Sequence, residues 1–203
     1  MKCIVKVDPR IKTKKYDLIE SPIIVRVNAF DDKAAKEFAI DMSDAHNTGQ
    51  SIIPVVIDSY GGHVHSYLAM AAEIKSANVP VATICVGKAM SAGAMLLSCG
   101  TEGYRYASAD SCIMVHELSA GTWGKQEEIK ADSAEYERLN KTIFRQLAEN
   151  TGHDDPEFFL NIIYGNRNVD WFMTAKEAKK YNIINKIGIP EFKYEVLIKE
   201  TFE

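Results

Sequence analysis

Short apolar runs that alternate with amphipathic stretches constrain this chain more than any other feature. Ile23-Ile24-Val25-Arg26-Val27, Ile52-Ile53-Pro54-Val55-Val56-Ile57, Val81-Ala82-Thr83-Ile84-Cys85-Val86 and Ser111-Cys112-Ile113-Met114-Val115 are short and partly β-branched. Such runs read as buried strands. Between them, 31–46 carries Ala35, Phe38, Met42 and Ala45 at helical spacing, with Gly49 beyond its end. The stretch 64–76 places Val64, Tyr67, Ala71 and Ile74 on one helical face. Strands alternating with helices at these lengths indicate an α/β domain. With 203 residues, 46% of them hydrophobic, the chain can bury one sizeable core. No low-complexity segment, clear internal repeat or linker divides it, so 1–203 reads as a single domain.

Composition excludes some partners. A net charge of -4 gives no general case for nucleic-acid binding. Cys3, Cys85, Cys99 and Cys112 form no CxxC pair, and three lie in apolar runs where a free thiol behaves as a small hydrophobe. A reducing compartment, hence the cytoplasm, is the simplest reading. The lysine-rich start through Lys12, Lys14 and Lys15 lacks the apolar centre of a signal peptide. Pro80, Gly87 and Lys88 interrupt the apolar stretch 79–100, which strand followed by helix explains better than a membrane span.

Within that stretch, Ser91 stands where the strand runs into the small-residue segment Ala92 to Ser98. A serine there has its Oγ at a helix N-terminus, where free N–H groups and the dipole favour negative charge. Acyl transfer through serine needs this, because its tetrahedral intermediate carries an oxyanion. The simpler alternative is an N-cap. His116, at the end of the 111–115 strand, occupies the usual place of a functional group on an open sheet; it could equally be a hydrogen-bonded structural residue. His46 and His153 sit in polar stretches that read as solvated helix ends. His63 and His65, two apart, would share one face of a strand, but no third metal ligand of suitable spacing stands nearby. Neither a metal nor a cofactor is expected.

An orienting carboxylate would hold the imidazole in the right tautomer. Glu117 adjoins His116, yet strand neighbours point to opposite faces. Asp58 and Asp110 remain open, as does Asp170 in Asn168-Val169-Asp170-Trp171-Phe172-Met173, a charge within an apolar run. Lys88 could instead form a Ser–Lys dyad, although a surface charge at a strand end is simpler.

These segments together resemble the proteolytic subunit of the Clp protease family. Ile57-Asp58-Ser59-Tyr60-Gly61-Gly62 resembles its Ser-Pro-Gly-Gly turn, and Thr83 to Ala94 its nucleophile segment. Ile113-Met114-Val115-His116 resembles its histidine strand, and Asp170 to Tyr181 its acid segment. The resemblance implies Ser91 as nucleophile, His116 as general base and Asp170 as orienting acid. It also implies an oxyanion hole from the N–H groups of Gly62 and Ala92, whereas Gly61-Gly62 alone could be a plain turn. Extended substrate would lie between His63-Val64 and Leu118-Ser119, read mainly through its backbone. The implied fold is the ClpP/crotonase-like spiral of repeated β-β-α units with a projecting handle helix, the handle region covering about 117–152.

Three departures stand out. Tyr60 replaces the usual proline, Glu117-Leu118 replaces a Gln-Pro pair, and Asn182 stands at a usual glycine. None removes a catalytic group. The stretch 125–150 is charge-rich, with a thin stripe of Ile129, Tyr136, Leu139, Ile143 and Leu147 that suits a helix packed on one partner. Gly152 would end it, Asp155-Pro156 would start a shorter helix, and Thr174 and Glu177 have capping-box spacing. The resemblance implies a homo-oligomer of two stacked heptameric rings that cleaves unfolded polypeptides, supplied by a hexameric Clp ATPase. No Gly-x-x-x-x-Gly-Lys-Ser/Thr loop occurs in this chain. A crotonase-like acyl-CoA enzyme would not need the three residues together; a catalytically idle scaffold or regulatory subunit is the alternative.

Overall fold

A computed structural model describes residues 2–3, 22–119, 121, 123–166 and 169–194, the side chains from 22 to 192 only. The lysines at 12, 14 and 15, the Cys3 side chain and Asn168 therefore lie outside the described residues. The elements in chain order are β1 (Lys2–Cys3), β2 (Val25–Val27), α1 (Asp32–Asn47), β3 (Ile53–Ser59), α2 (Val64–Ser76), β4 (Val81–Met90), α3 (Ala92–Ser98) and β5 (Arg105–Ala107). They continue with β6 (Cys112–Val115), α4 (Gln126–Thr151), α5 (Phe158–Gly165), β7 (Trp171–Thr174), α6 (Ala175–Lys180), β8 (Lys186–Ile187) and β9 (Lys193–Tyr194). The fold is the α/β spiral of the ClpP and crotonase type.

Strands β2-β3-β4-β5-β8 form a parallel sheet in that order. β4 is longer than its neighbours and serves two partners. Its first half pairs with β5 (Thr83 with Arg105, Cys85 with Ala107), and its last three residues pair with β6 (Lys88 with Cys112, Met90 with Met114). β7 then adds to β6 antiparallel. The register against β3 slips on the way: Ile57 faces Cys85, but Ser59 faces Ala89. Such a bulge bends the strand and re-aims the residues beyond it. Here it aims the end of β4 at the start of α3.

All seven residues of α3 are buried, which only a segment of small and apolar residues permits at the centre of the fold. Thr83 Oγ1 donates to Leu97 O at 2.7 Å and ties the helix end to β4. Asp31 caps α1 by accepting from Ala34 N at 2.8 Å. Thr174 and Glu177 close a reciprocal capping box on α6, and Asn182 adopts a φ of 55°. Asn tolerates that left-handed region better than most side chains.

Two expectations need correction. The helix foreseen at Asp155-Pro156 starts at Phe158. Asp155 Oδ1 accepts from Glu157 N at 2.9 Å, and Phe158 N donates to Asp155 O at 3.1 Å, so Asp-Pro-Glu builds a turn that precedes the helix. The stripe along α4 is buried only from Leu139 onward; Ile129 remains exposed. From Gln126 to Arg138 the helix carries no buried residue and is laced by Lys130–Glu127 and Arg138–Glu135 ion pairs. This is the projecting handle.

Candidate active site

Ser91 sits between β4 and α3 with φ 54° and ψ -122°, the dihedrals of the first central residue of a type II′ turn. A side chain in this region costs roughly 1–3 kcal/mol and persists only where the surroundings impose it. They do so here. Ser91 N donates to Met114 O at 2.8 Å, while Ser91 O accepts from Ala94 N and Met95 N at 2.9 and 3.1 Å. A sharp strand-to-helix turn of this kind lifts the hydroxyl clear of the backbone. The simpler N-cap alternative is disfavoured, since the Ser91 side chain makes no capping hydrogen bond.

Gly61 and Gly62 approach this turn from β3. A Cβ on Gly61 would lie 2.8 Å from both Met90 O and Ser91 Cβ, and one on Gly62 would lie 2.5 Å from Phe30 O. Their φ values of 102° and 153° also exclude ordinary side chains. The pair is thus more than a turn into α2: only glycine lets this loop touch the serine elbow. Among the described residues the N–H groups of Gly62 and Ala92 have no protein acceptor.

Gly62, Ser91, Ala92 and His116 share one cavity of about 130 Å³. Val64, Tyr67, Met95, Leu118 and Ile143 give it apolar walls, and Ser119 lies at its side. His63 is exposed and does not line it. In the sequence Tyr67, Met95 and Ile143 read simply as core positions of three helices, with no sign that they line a site. Leu118 N donates to Asn140 Oδ1 at 3.1 Å, and Asn140 Nδ2 donates to Glu117 Oε1 at 3.0 Å. The segment after His116 is thereby pinned to α4, and the Glu117 carboxylate faces that helix rather than the cavity. A polar residue next to Leu139 within the α4 stripe was the available signal for Asn140.

Asp170 is exposed and opens onto a separate surface depression with Trp171 and Phe172. Among the described residues no hydrogen bond joins Ser91, His116 and Asp170. His116 and Asp170 nevertheless flank the same end of one strand pair. In the antiparallel β6–β7 pair the register ends where Val115 faces Trp171; His116 directly follows the one and Asp170 directly precedes the other.

The other candidates are engaged elsewhere. Asp58 Oδ1 accepts from Lys88 Nζ at 2.9 Å and from Lys88 N at 3.2 Å. Lys88 donation holds the Asp58 carboxyl below its usual range, and the same bond raises the Lys88 ammonium. A dyad base needs a depressed lysine, so Lys88 is poorly suited. His46 and His153 are partly buried and engaged, rather than freely solvated as expected. His46 bonds Met42 O at 2.7 Å and receives Asn78 N, and His153 stacks on Phe158 with ring centroids 3.9 Å apart. His63 precedes α2 while His65 lies in its first turn, so they share no strand face. Arg105, flanked by tyrosines in sequence, is fully buried, a position that alternation alone does not foretell.

The sequence model of the Clp protease family matches residues 8–191. This chain belongs to the Clp protease family. Membership makes it a proteolytic subunit of the Clp type, in a family that oligomerises and assembles with Clp ATPases. Among the described residues no helix is long and apolar enough to cross a membrane.

Proposed function

We propose that this chain is a serine endopeptidase, acting as one peptidase domain over 1–203. Ser91 Oγ attacks the peptide carbonyl while His116 takes its proton, and the N–H groups of Gly62 and Ala92 receive the oxyanion. His116 then protonates the leaving amine, and water repeats the sequence to release the acyl group. Asp170 orients the imidazole. Substrate runs extended past His63-Val64 and Leu118-Ser119, which favours unfolded polypeptide over folded domains.

The observation that carries this reading is the strained Ser91 turn opening on one cavity with His116 and two N–H groups that lack protein acceptors. The position of Asp170 outside that cavity favours a second reading, a catalytically idle scaffold or regulatory subunit. Register supports the first: continued one step beyond Val115 and Trp171 it would set His116 opposite Asp170, and catalytic hydrogen bonds often tighten only in the complex. We further read the assembly as two stacked heptameric rings meeting through the handle, fed by a hexameric Clp ATPase in the cytoplasm, where Cys85, Cys99 and Cys112 stay free thiols.

Hydrolysis of a short fluorogenic peptide tests the assignment. Ser91→Ala should lose several orders of magnitude, and Asp170→Asn about 10⁴-fold if it sets the tautomer. Glu117→Gln should matter far less. Full turnover in Ser91→Ala, or a larger loss in Glu117→Gln than in Asp170→Asn with both folded, contradicts it. Light scattering on the active protein tests the rings, and a fully active monomer rules them out.

A further inference from the structure

The loop that carries Gly62 leaves β3 through Tyr60, a residue 74% exposed and so with little packing to hold it. Lys88 Nζ lies 4.4 Å from the centre of that ring, in range for cation–π attraction. The same ammonium is fixed at 2.9 Å by Asp58, which also accepts the Lys88 N–H at 3.2 Å. Asp58 and Lys88 sit in the β3–β4 register slip and Tyr60 follows directly after β3, all just ahead of Gly61 and Ser91. Asp58 fills the slip so closely that a Cβ on Gly87 would lie 2.9 Å from its Oδ1. The far side of the loop is held separately, by Gly61 N donating to Ser59 Oγ at 3.1 Å and His63 N donating to Phe30 O at 2.7 Å.

We propose that Asp58, Lys88 and Tyr60 form a clamp of positioning residues that fixes the Gly61–Gly62 loop against the Ser91 turn. The proposal rests on the peptidase reading above. Lys88 belongs to the strand that delivers Ser91, and Asp58 and Tyr60 to the chain that delivers the Gly62 N–H. Their contacts set the distance between nucleophile and oxyanion donor from the side opposite Ser59 and Phe30. Because the donor acts on charge that develops in the transition state, loosening the clamp lowers kcat and leaves KM nearly unchanged.

A residue that stiffens position 60 by itself makes the clamp redundant. Proline does so by fixing φ, and Tyr60 can be replaced by it without losing a bond. Its φ is negative, its N–H has no acceptor among the described residues, and Ser59 before it is extended strand. The experiment is a cycle of Lys88→Ala in the Tyr60 and the Tyr60→Pro backgrounds, read by short-peptide kcat and KM with thermal unfolding in parallel. Lys88→Ala should lower kcat about 10-fold in the Tyr60 background and no more than about 2-fold beside proline, a misplacement effect short of donor loss. Lys88→Arg, which keeps the ion pair and stacks on the ring, should recover most of the loss. Equal losses in both backgrounds, no loss beside Tyr60, or a change confined to KM overturns the clamp. Wild-type hydrolysis that disappears in Ser91→Ala secures the parent reading independently; a wild type without hydrolysis overturns both.

Discussion

Replacing Arg105 by alanine should destabilise the protein by about 3–5 kcal/mol, the scale of breaking a buried charged network. Its side chain is fully buried. Nη1 donates to Ser98 O at 3.2 Å and to Asn150 O, Nε donates to Asn185 Oδ1 at 3.1 Å, and Nη2 pairs with Glu102. Ser98 closes α3 and Asn150 lies in the last turn of α4, so one cation satisfies the terminal carbonyls of both helices and opposes both dipoles. Two of the four partners survive its loss unharmed. Asn185 Oδ1 still accepts from Gly103 N and Arg105 N, and Glu102 is exposed enough to return to water. The two carbonyls do not, and each buried orphan costs roughly 1–3 kcal/mol. Adding the cavity left by the stem and subtracting the desolvation no longer required keeps the net near the middle of that sum. Urea unfolding measures it: the midpoint should fall with an unchanged slope. Arg105→Lys, able to reach one carbonyl but not both, should lie between. A loss under about 1 kcal/mol for alanine would refute the idea that these helix ends depend on the guanidinium.

Three further outcomes concern two glycines and one thiol. Gly62→Ala, blocked by Phe30 O at 2.5 Å, should displace the oxyanion donor and cost about 10²–10³-fold in turnover. Gly49→Ala, with a φ of 71° and open space around it, should lose only about 1 kcal/mol of stability and no activity. Burial pushes the Cys85 thiol up from 9.0 to about 11. The folded state therefore keeps a proton that the unfolded chain releases, so this contribution is complete below pH 9 and disappears as pH climbs through 11. The integral is roughly 2–3 kcal/mol. Unfolding at pH 8 and pH 10.5 should show a smaller decline for Cys85→Ala than for wild type; identical declines would contradict it.

Much of the scaffold was legible because local and tertiary preferences agree. The face Val64, Tyr67, Ala71, Ile74 gives α2 its observed bounds, and the change from β-branched Val81–Val86 to small Ala92–Ser98 marks the turn that strains Ser91. What was hidden depends on contacts that spacing and composition do not encode. Arg105 looks like a surface cation until Ser98 and Asn150 converge on it. His153 looks polar until Phe158 stacks against it. Asp155-Pro156 carries helix-start chemistry, but the same residues also make a good turn, and the turn comes first. For Asp170 the strand pairing stops one residue short, and no sequence pattern tells that the residue is exposed and opens onto a separate depression.

Treatment of the native protein with a serine-directed fluorophosphonate, followed by intact-mass measurement and peptide mapping, tests the central claim most directly. Phosphonylation requires a hydroxyl activated by its base and an oxyanion site at once, which a buried cap or an idle subunit does not offer. The account predicts one adduct per chain, on Ser91, absent from Ser91→Ala and strongly slowed in His116→Ala. An unmodified native protein, or an adduct on any other residue, would contradict it.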